Sequence, residues 1–121
     1  MRIFDFDKET GREITQFNSK NSNFSKIIQP NNQIHIGCIY IGPDGILGPH
    51  PAPISQLFIV LNGQGWVIGK EGLRYHIQSG KAVFWEPGEI HESGSELGMT
   101  VIVIEGEDLK PLMKEIEWIE S

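Results

Sequence analysis

Three residues carry the chemistry that this sequence offers. His50 stands in Gly48-Pro49-His50-Pro51, where two prolines hold the backbone extended and reduce its freedom, which is useful for aiming a ligand. His91 follows the bend Glu86-Pro87-Gly88, about forty residues further on. Gln56 sits in the apolar run from Ile54 to Leu61. A glutamine there is costly to bury unless its amide is hydrogen-bonded or coordinated, so it needs a partner. Two imidazoles suit zinc, iron, nickel, copper or manganese, and a neutral amide oxygen is a weaker ligand than a carboxylate.

The stretches that hold these residues are GILGPHPAPISQLFIVLNGQG, from Gly45 to Gly65, and GKAVFWEPGEIHESGS, from Gly80 to Ser95. Together they resemble the two motifs of the cupin superfamily. The first motif runs glycine, HxH, glutamate, glycine, and the second runs glycine, PxG, histidine. His50, Gly63, Gly80, Gly88 and His91 match. The departures are Ala52 at the second histidine of HxH, Gln56 at the glutamate, Glu86 at the PxG proline with Pro87 one place late, a displaced opening glycine at Gly45, and Ser95 at the asparagine that often ends the second motif.

The resemblance implies an all-β cupin jelly-roll barrel, a double-stranded β-helix, with a core from about residue 33 to 104 in a single domain spanning 1–121. It implies that His50, Gln56 and His91 converge inside the barrel as ligands of a divalent transition metal (zinc, iron, nickel or manganese). Neutral ligands alone would leave the ion's whole charge in the pocket and favour a small polar or anionic metabolite. Open coordination positions would suit a metal-dependent isomerase or dioxygenase. The alternative is a metal-free binding or sensing module, because losing one histidine and the glutamate is what abandoning metal chemistry would look like. Ala52 is expected to leave space for water, substrate or another histidine; His35 and His76 are the only other histidines and read as structural residues within strands. The resemblance also implies a homodimer.

The elements that must position these residues are short strands. At 121 residues, with fourteen glycines and seven prolines, the chain suits one domain of many short strands and tight turns. Gln33 to Ile41 alternates, with Ile34, Ile36, Cys38 and Tyr40 on one face and His35, Gly37, Ile39 and Ile41 on the other. Gly42-Pro43-Asp44-Gly45 reads as a turn. In the next strand Gln56, Phe58 and Val60 share a face, and Asn62-Gly63 reads as a hairpin turn because both residues take positive φ readily. Strands follow at Leu73 to Ile77, Ala82 to Trp85 and Met99 to Ile104. Met1 to Ile28 reads as loop or edge strand, with Ile3, Phe4 and Phe6 suggesting a short strand. Leu109, Leu112, Met113, Ile116 and Ile119 recur at helical spacing, which predicts a short amphipathic helix over about 108–120, with Asp108 in its first turn.

A formal charge of −6 without clustered Lys or Arg argues against nucleic-acid binding. No stretch approaches a membrane span, and no basic or long apolar segment stands at Met1 to Lys8, so a cytoplasmic protein is expected. The lone Cys38 cannot form an internal disulfide and reads as a small buried hydrophobe. Phe58, Trp66, Phe84 and Trp85 are candidates for an apolar pocket lining, and Glu86 and Glu89 for acid or base, although exposed turn glutamates are usually only solvated. Serine-hydrolase and phosphate-loop motifs are absent.

Overall fold

The computed structural model describes residues 1–2, 4, 8–28 and 34–117. Two single turns of 3-10 helix, at Lys8–Thr10 and Gln16–Asn18, flank the short strand β1 (Arg12–Glu13). Then come β2 (Lys20–Ile28), β3 (Ile34–Pro51), β4 (Ser55–Ile68), β5 (Arg74–Gln78), β6 (Ala82–Trp85), β7 (Ile90–Ser95) and β8 (Met99–Gly106), paired antiparallel.

Two long strands organise the barrel. The first half of β3 pairs with β8, from Ile34↔Gly106 to Ile41↔Met99, and its second half pairs with β7, from Gly45↔Ser95 to Pro51↔Ile90. The strand β4 makes the same exchange, lying against β8 up to Gly63↔Met99 and against β7 from Trp66↔Gly94. Each strand therefore runs through two sheets, β6 extending one beyond β4 and β5 the other. Their inward faces meet in one buried cluster that includes Ile39, Ile41, Phe58, Val60, Val101 and Val103. This is the alternation expected of strands with one face in a core.

The corners where the strands change partner replace two expected turns. Gly42-Pro43-Asp44-Gly45 is a bend within β3, with Asp44 at φ 59° and its amide donating to Glu96 O at 3.1 Å. Asn62-Gly63 is no hairpin, since β4 continues through it to Ile68 with a register shift between Val60 and Asn62. Gly63 does take the positive φ, 85°, but uses it to bend one strand closely past another: a Cβ there would stand 2.3 Å from Gly98 O. Sequence reports the local conformation, and pairing over long range decides whether the chain turns back or runs on.

The expected C-terminal helix is not formed over the described part of its span. Residues 107–117 contain no helix, and 118–120 lie outside the described residues. Asp108 has φ 55°, the left-handed region, whereas an N-cap needs extended backbone. Pro111 disfavours helical backbone at Lys110 and removes a donor. Met113 and Ile116 instead line a groove with Leu57, Ala82 and Phe84 of the barrel's outer face, while Leu112 is 97% exposed. At the other end, the polar stretch beginning at Lys20 is a nine-residue strand paired along β3. The short strand suggested around Ile3 and Phe6 falls on positions outside the described residues. Among the described residues no helix is long and apolar enough to cross a membrane.

Candidate functional site

A cavity of about 450 Å³ opens between the two sheets, and all three residues singled out by sequence reach it: His50, Gln56 and His91. His50 and His91 are direct cross-strand partners on β3 and β7, and their ring centroids lie 4.4 Å apart. Gln56 comes from the other sheet, on β4.

Both imidazoles are held by main-chain carbonyls. His50 Nδ1 donates to Gly48 O at 2.7 Å, and His91 Nδ1 donates to Glu89 O at 3.2 Å. A carbonyl only accepts, so each Nδ1 carries a proton, and in the neutral ring each Nε2 keeps its lone pair. Glu89 O also accepts from Ala52 N at 3.0 Å, and Gly88 N donates to Ala52 O at 2.7 Å, which ties the segment after His50 to the segment before His91. The Glu89 carboxylate, a candidate acid or base in the sequence, accepts from the amides of Lys70 at 3.1 Å and Glu86 at 3.0 Å. It braces the loop.

Aromatic rings close over the pair. Phe17 stacks on His50 at 4.1 Å with planes 7° apart, and Trp85 stacks on His91 at 4.3 Å with planes 23° apart. Phe58 meets Trp85 edge-on at 5.3 Å. His91 is 4% exposed. That burial lowers its pKa to about 4, with nearby His50 pushing the same way and the Glu89 carbonyl and carboxylate pushing back. His91 is therefore neutral at pH 7.

Gln56 has the partner its burial required, and the sequence reading did not identify it. Its Nε2 donates to Glu105 Oε1 at 3.2 Å, and Glu105 is its cross-strand neighbour on β8. Glu105 lines the cavity, so the polar lining is not wholly neutral. The alternation Met99, Val101, Val103, Glu105 held the signal: a carboxylate on the inward face of an apolar strand. Phe17 was also missed. It belongs to a strap over residues 12–19 that borders the cavity and crosses β3 at Gly48, where a Cβ would meet Phe17 O at 1.7 Å. Gly48 N donates to Ser19 Oγ at 3.1 Å and fastens the crossing.

The other expectations divide. Ala52 leaves no vacancy, being 1% exposed and packed in the core cluster. His35 and His76 are exposed and do not line the cavity; His76 Nε2 pairs with Gln78 Oε1 at 3.2 Å. Of the four aromatic candidates, Phe58 and Trp85 line the cavity, whereas Trp66 is covered by the Arg74 guanidinium at 4.0 Å and Phe84 borders the outer groove. Cys38 is fully buried, and burial pushes its thiol pKa up against the opposing pull of the Tyr40 side chain, as suits an inert thiol.

No family model matches the chain, and no curated protein matches it in sequence. Solved structures do match in fold. The polyketide cyclase RemF from Streptomyces resistomycificus aligns with a TM-score of 0.73 at 17% identity, over 91% of this chain and 83% of that one. A cupin 2 conserved barrel domain protein from Salinispora arenicola gives 0.72 at 16% identity, over 89% and 90%. A predicted oxalate decarboxylase from Thermotoga maritima gives 0.72 at 13% identity, over 86% and 99%. The chain has the cupin fold. In this cupin barrel the two-sheet exchange of β3 and β4 brings both motif histidines to one cavity.

The residues present fit a metal ion in part. Two imidazoles with free Nε2 lone pairs and backbone-anchored Nδ1 atoms are the arrangement in which histidine usually ligates. Among the described residues, however, no third His, Cys, Asp or Glu joins them in a ligating group, which leaves the Gln56 amide oxygen as the further donor. Such a set suits a divalent transition ion held less tightly than by a full set of histidines and a carboxylate.

Proposed function

We propose that this protein is a small-molecule-binding cupin that takes a small polar ligand into the cavity between its sheets and reads it at the His50–His91 pair. The observation that carries this reading is the pair itself: two imidazoles in one cavity of about 450 Å³, each with Nδ1 committed to a carbonyl and Nε2 left to accept. Pockets of this volume suit small organic molecules, and Phe17, Phe58 and Trp85 supply apolar wall. The polyketide cyclase and the predicted oxalate decarboxylase of the same fold act on small molecules according to their names, which supports the ligand class and no specific reaction.

In the finer form of the proposal, His50, His91 and Gln56 hold a divalent ion such as zinc, iron, nickel or manganese. The ion would supply Lewis-acid polarisation of a bound oxygen. The protein's own residues orient the two imidazoles, keep His91 neutral and exclude water by stacking aromatic rings on both. The metal-free reading has its own support in the departures from the motif, Ala52 at a histidine and Gln56 at the glutamate; there the Nε2 atoms accept hydrogen bonds from the ligand directly. The protein is further proposed to act as a homodimer, which sedimentation would check.

Elemental analysis and metal titration of protein purified without chelator or histidine tag separate the two forms. Near-stoichiometric metal that is lost in both His50→Ala and His91→Ala supports the metal form. A native protein that arrives empty and refuses zinc, iron, nickel and manganese ends it and leaves the metal-free form.

A further inference from the structure

The polar groups of the cavity do not merely mix donors and acceptors. In the neutral rings His50 Nε2 and His91 Nε2 are acceptors, because both Nδ1 atoms donate to carbonyls. Gln56 spends one N–H on Glu105, which leaves its Oε1 as an acceptor, and the Glu105 carboxylate accepts only. On the two barrel walls the donors left over are the second N–H of Gln56 and the Ser93 hydroxyl, and the strap at the opening adds the side chains of Thr15, Gln16 and Ser19. At the rim, Arg12 and Glu13 are both exposed and offset each other in charge. A carboxylate ligand would bring its lone pairs against this wall, whereas an ammonium offers three donors and a charge opposite to that of Glu105. Phe17, Phe24, Phe58 and Trp85 supply aromatic lining beside the aliphatic Ile39, Leu47 and Val103, and accommodate an apolar body next to a cation.

We propose that Glu105 is the specificity-determining residue of the cavity, and that the organic ligand of the metal-free protein is a small ammonium compound with an apolar or aromatic body. The inference rests on the cavity being the ligand site, as proposed above. It does not depend on a metal. Gln56 positions Glu105 by its hydrogen bond, so a glutamine that replaces the usual carboxylate of the motif orients a different carboxylate from the neighbouring strand.

The test is calorimetry on the full chain after chelator treatment, with three probes of one shape and different charge: 2-phenylethylammonium, 2-phenylethanol and phenylacetate. The ammonium is expected to bind at least about tenfold more tightly than phenylacetate, the scale of one charge-assisted hydrogen bond. Glu105→Gln, which keeps the side-chain shape and the acceptor for Gln56, is expected to remove most of that ratio. Phenylacetate binding as tightly as the ammonium, no ammonium binding at all, or an unchanged ratio in Glu105→Gln would each overturn the proposal. His50→Ala separates the two levels. If the charge preference survives in Glu105→Gln but all binding falls in His50→Ala, the cavity reading stands and the role of Glu105 falls. If the probes bind both variants as they bind the native chain, the cavity is not their site and the underlying reading falls too.

Discussion

The cavity has two polar walls, built by different means. The imidazole wall, His50 and His91, is anchored locally: each ring is bonded to a carbonyl two residues away and stacked on an aromatic ring. The amide–carboxylate wall, Gln56 and Glu105, is anchored across strands, by one side-chain bond between residues 49 apart in sequence. Local anchoring makes the first wall a rigid presentation of lone pairs. The second wall depends on the register of β4 against β8, so a one-residue slip of β4 would turn Gln56 to the outside and part it from Glu105.

Acid should separate the walls most strongly. His91 has a pKa of about 4 when folded against 6.5 when unfolded, so between these values the unfolded chain binds the extra proton and stability rises with pH. The contribution is fully present above pH 6.5 and is lost as pH falls towards 4. A shift of that size corresponds to about 3 kcal/mol. Urea unfolding at pH 7.5 and 4.5 should show this loss in the native chain and a much flatter profile in His91→Gln. Equal slopes in the two would mean that the imidazole wall is not desolvated as its burial implies.

Completing the imidazole wall should fail. Ala52→His restores the missing histidine of the motif, but Ala52 is packed in the core, so the change should destabilise by about 1–3 kcal/mol through overpacking. Metal titration should show no gain. A variant of native stability that binds zinc more tightly would show that the site was vacant after all.

Two smaller changes sharpen the comparison. Phe17→Ala removes the ring stacked on His50 while Phe17 is itself 48% exposed, so it should cost about 1 kcal/mol or less. His50 should meanwhile become faster to modify with diethyl pyrocarbonate, and an unchanged rate would release Phe17 from its covering role. Gln56→Glu should alter stability least, by less than about 1 kcal/mol from like charges facing across strands. It should raise zinc affinity about tenfold if the amide–carboxylate wall can turn towards the imidazole wall. No gain would mean that the walls stay separate.

Much of this site was legible in the sequence for the same reason that its first wall is rigid. The prolines around His50 and the Pro87-Gly88 bend before His91 are local signals, and each histidine donates its hydrogen bond to a carbonyl two residues before it. Inward alternation placed Phe58 and Val60 in the core. The expected last strand ended at Ile104, one residue short of Glu105, because the apolar run stops there although the pairing continues to Gly106. Phe17 was illegible because nothing near it in sequence shows that its segment crosses β3 at Gly48.

The sequence by itself determined most of the strands, the inward faces of β3 and β4 and the proline-restricted segments that aim His50 and His91, because backbone restriction by proline and the period-two alternation act over a few residues. Only the tertiary structure decided that Gly42–Gly45 and Asn62-Gly63 bend rather than reverse, that residues 107–117 form no helix, and that Gln56 meets Glu105. Each of these depends on which strand lies alongside, and that choice is made by burying the whole core at once.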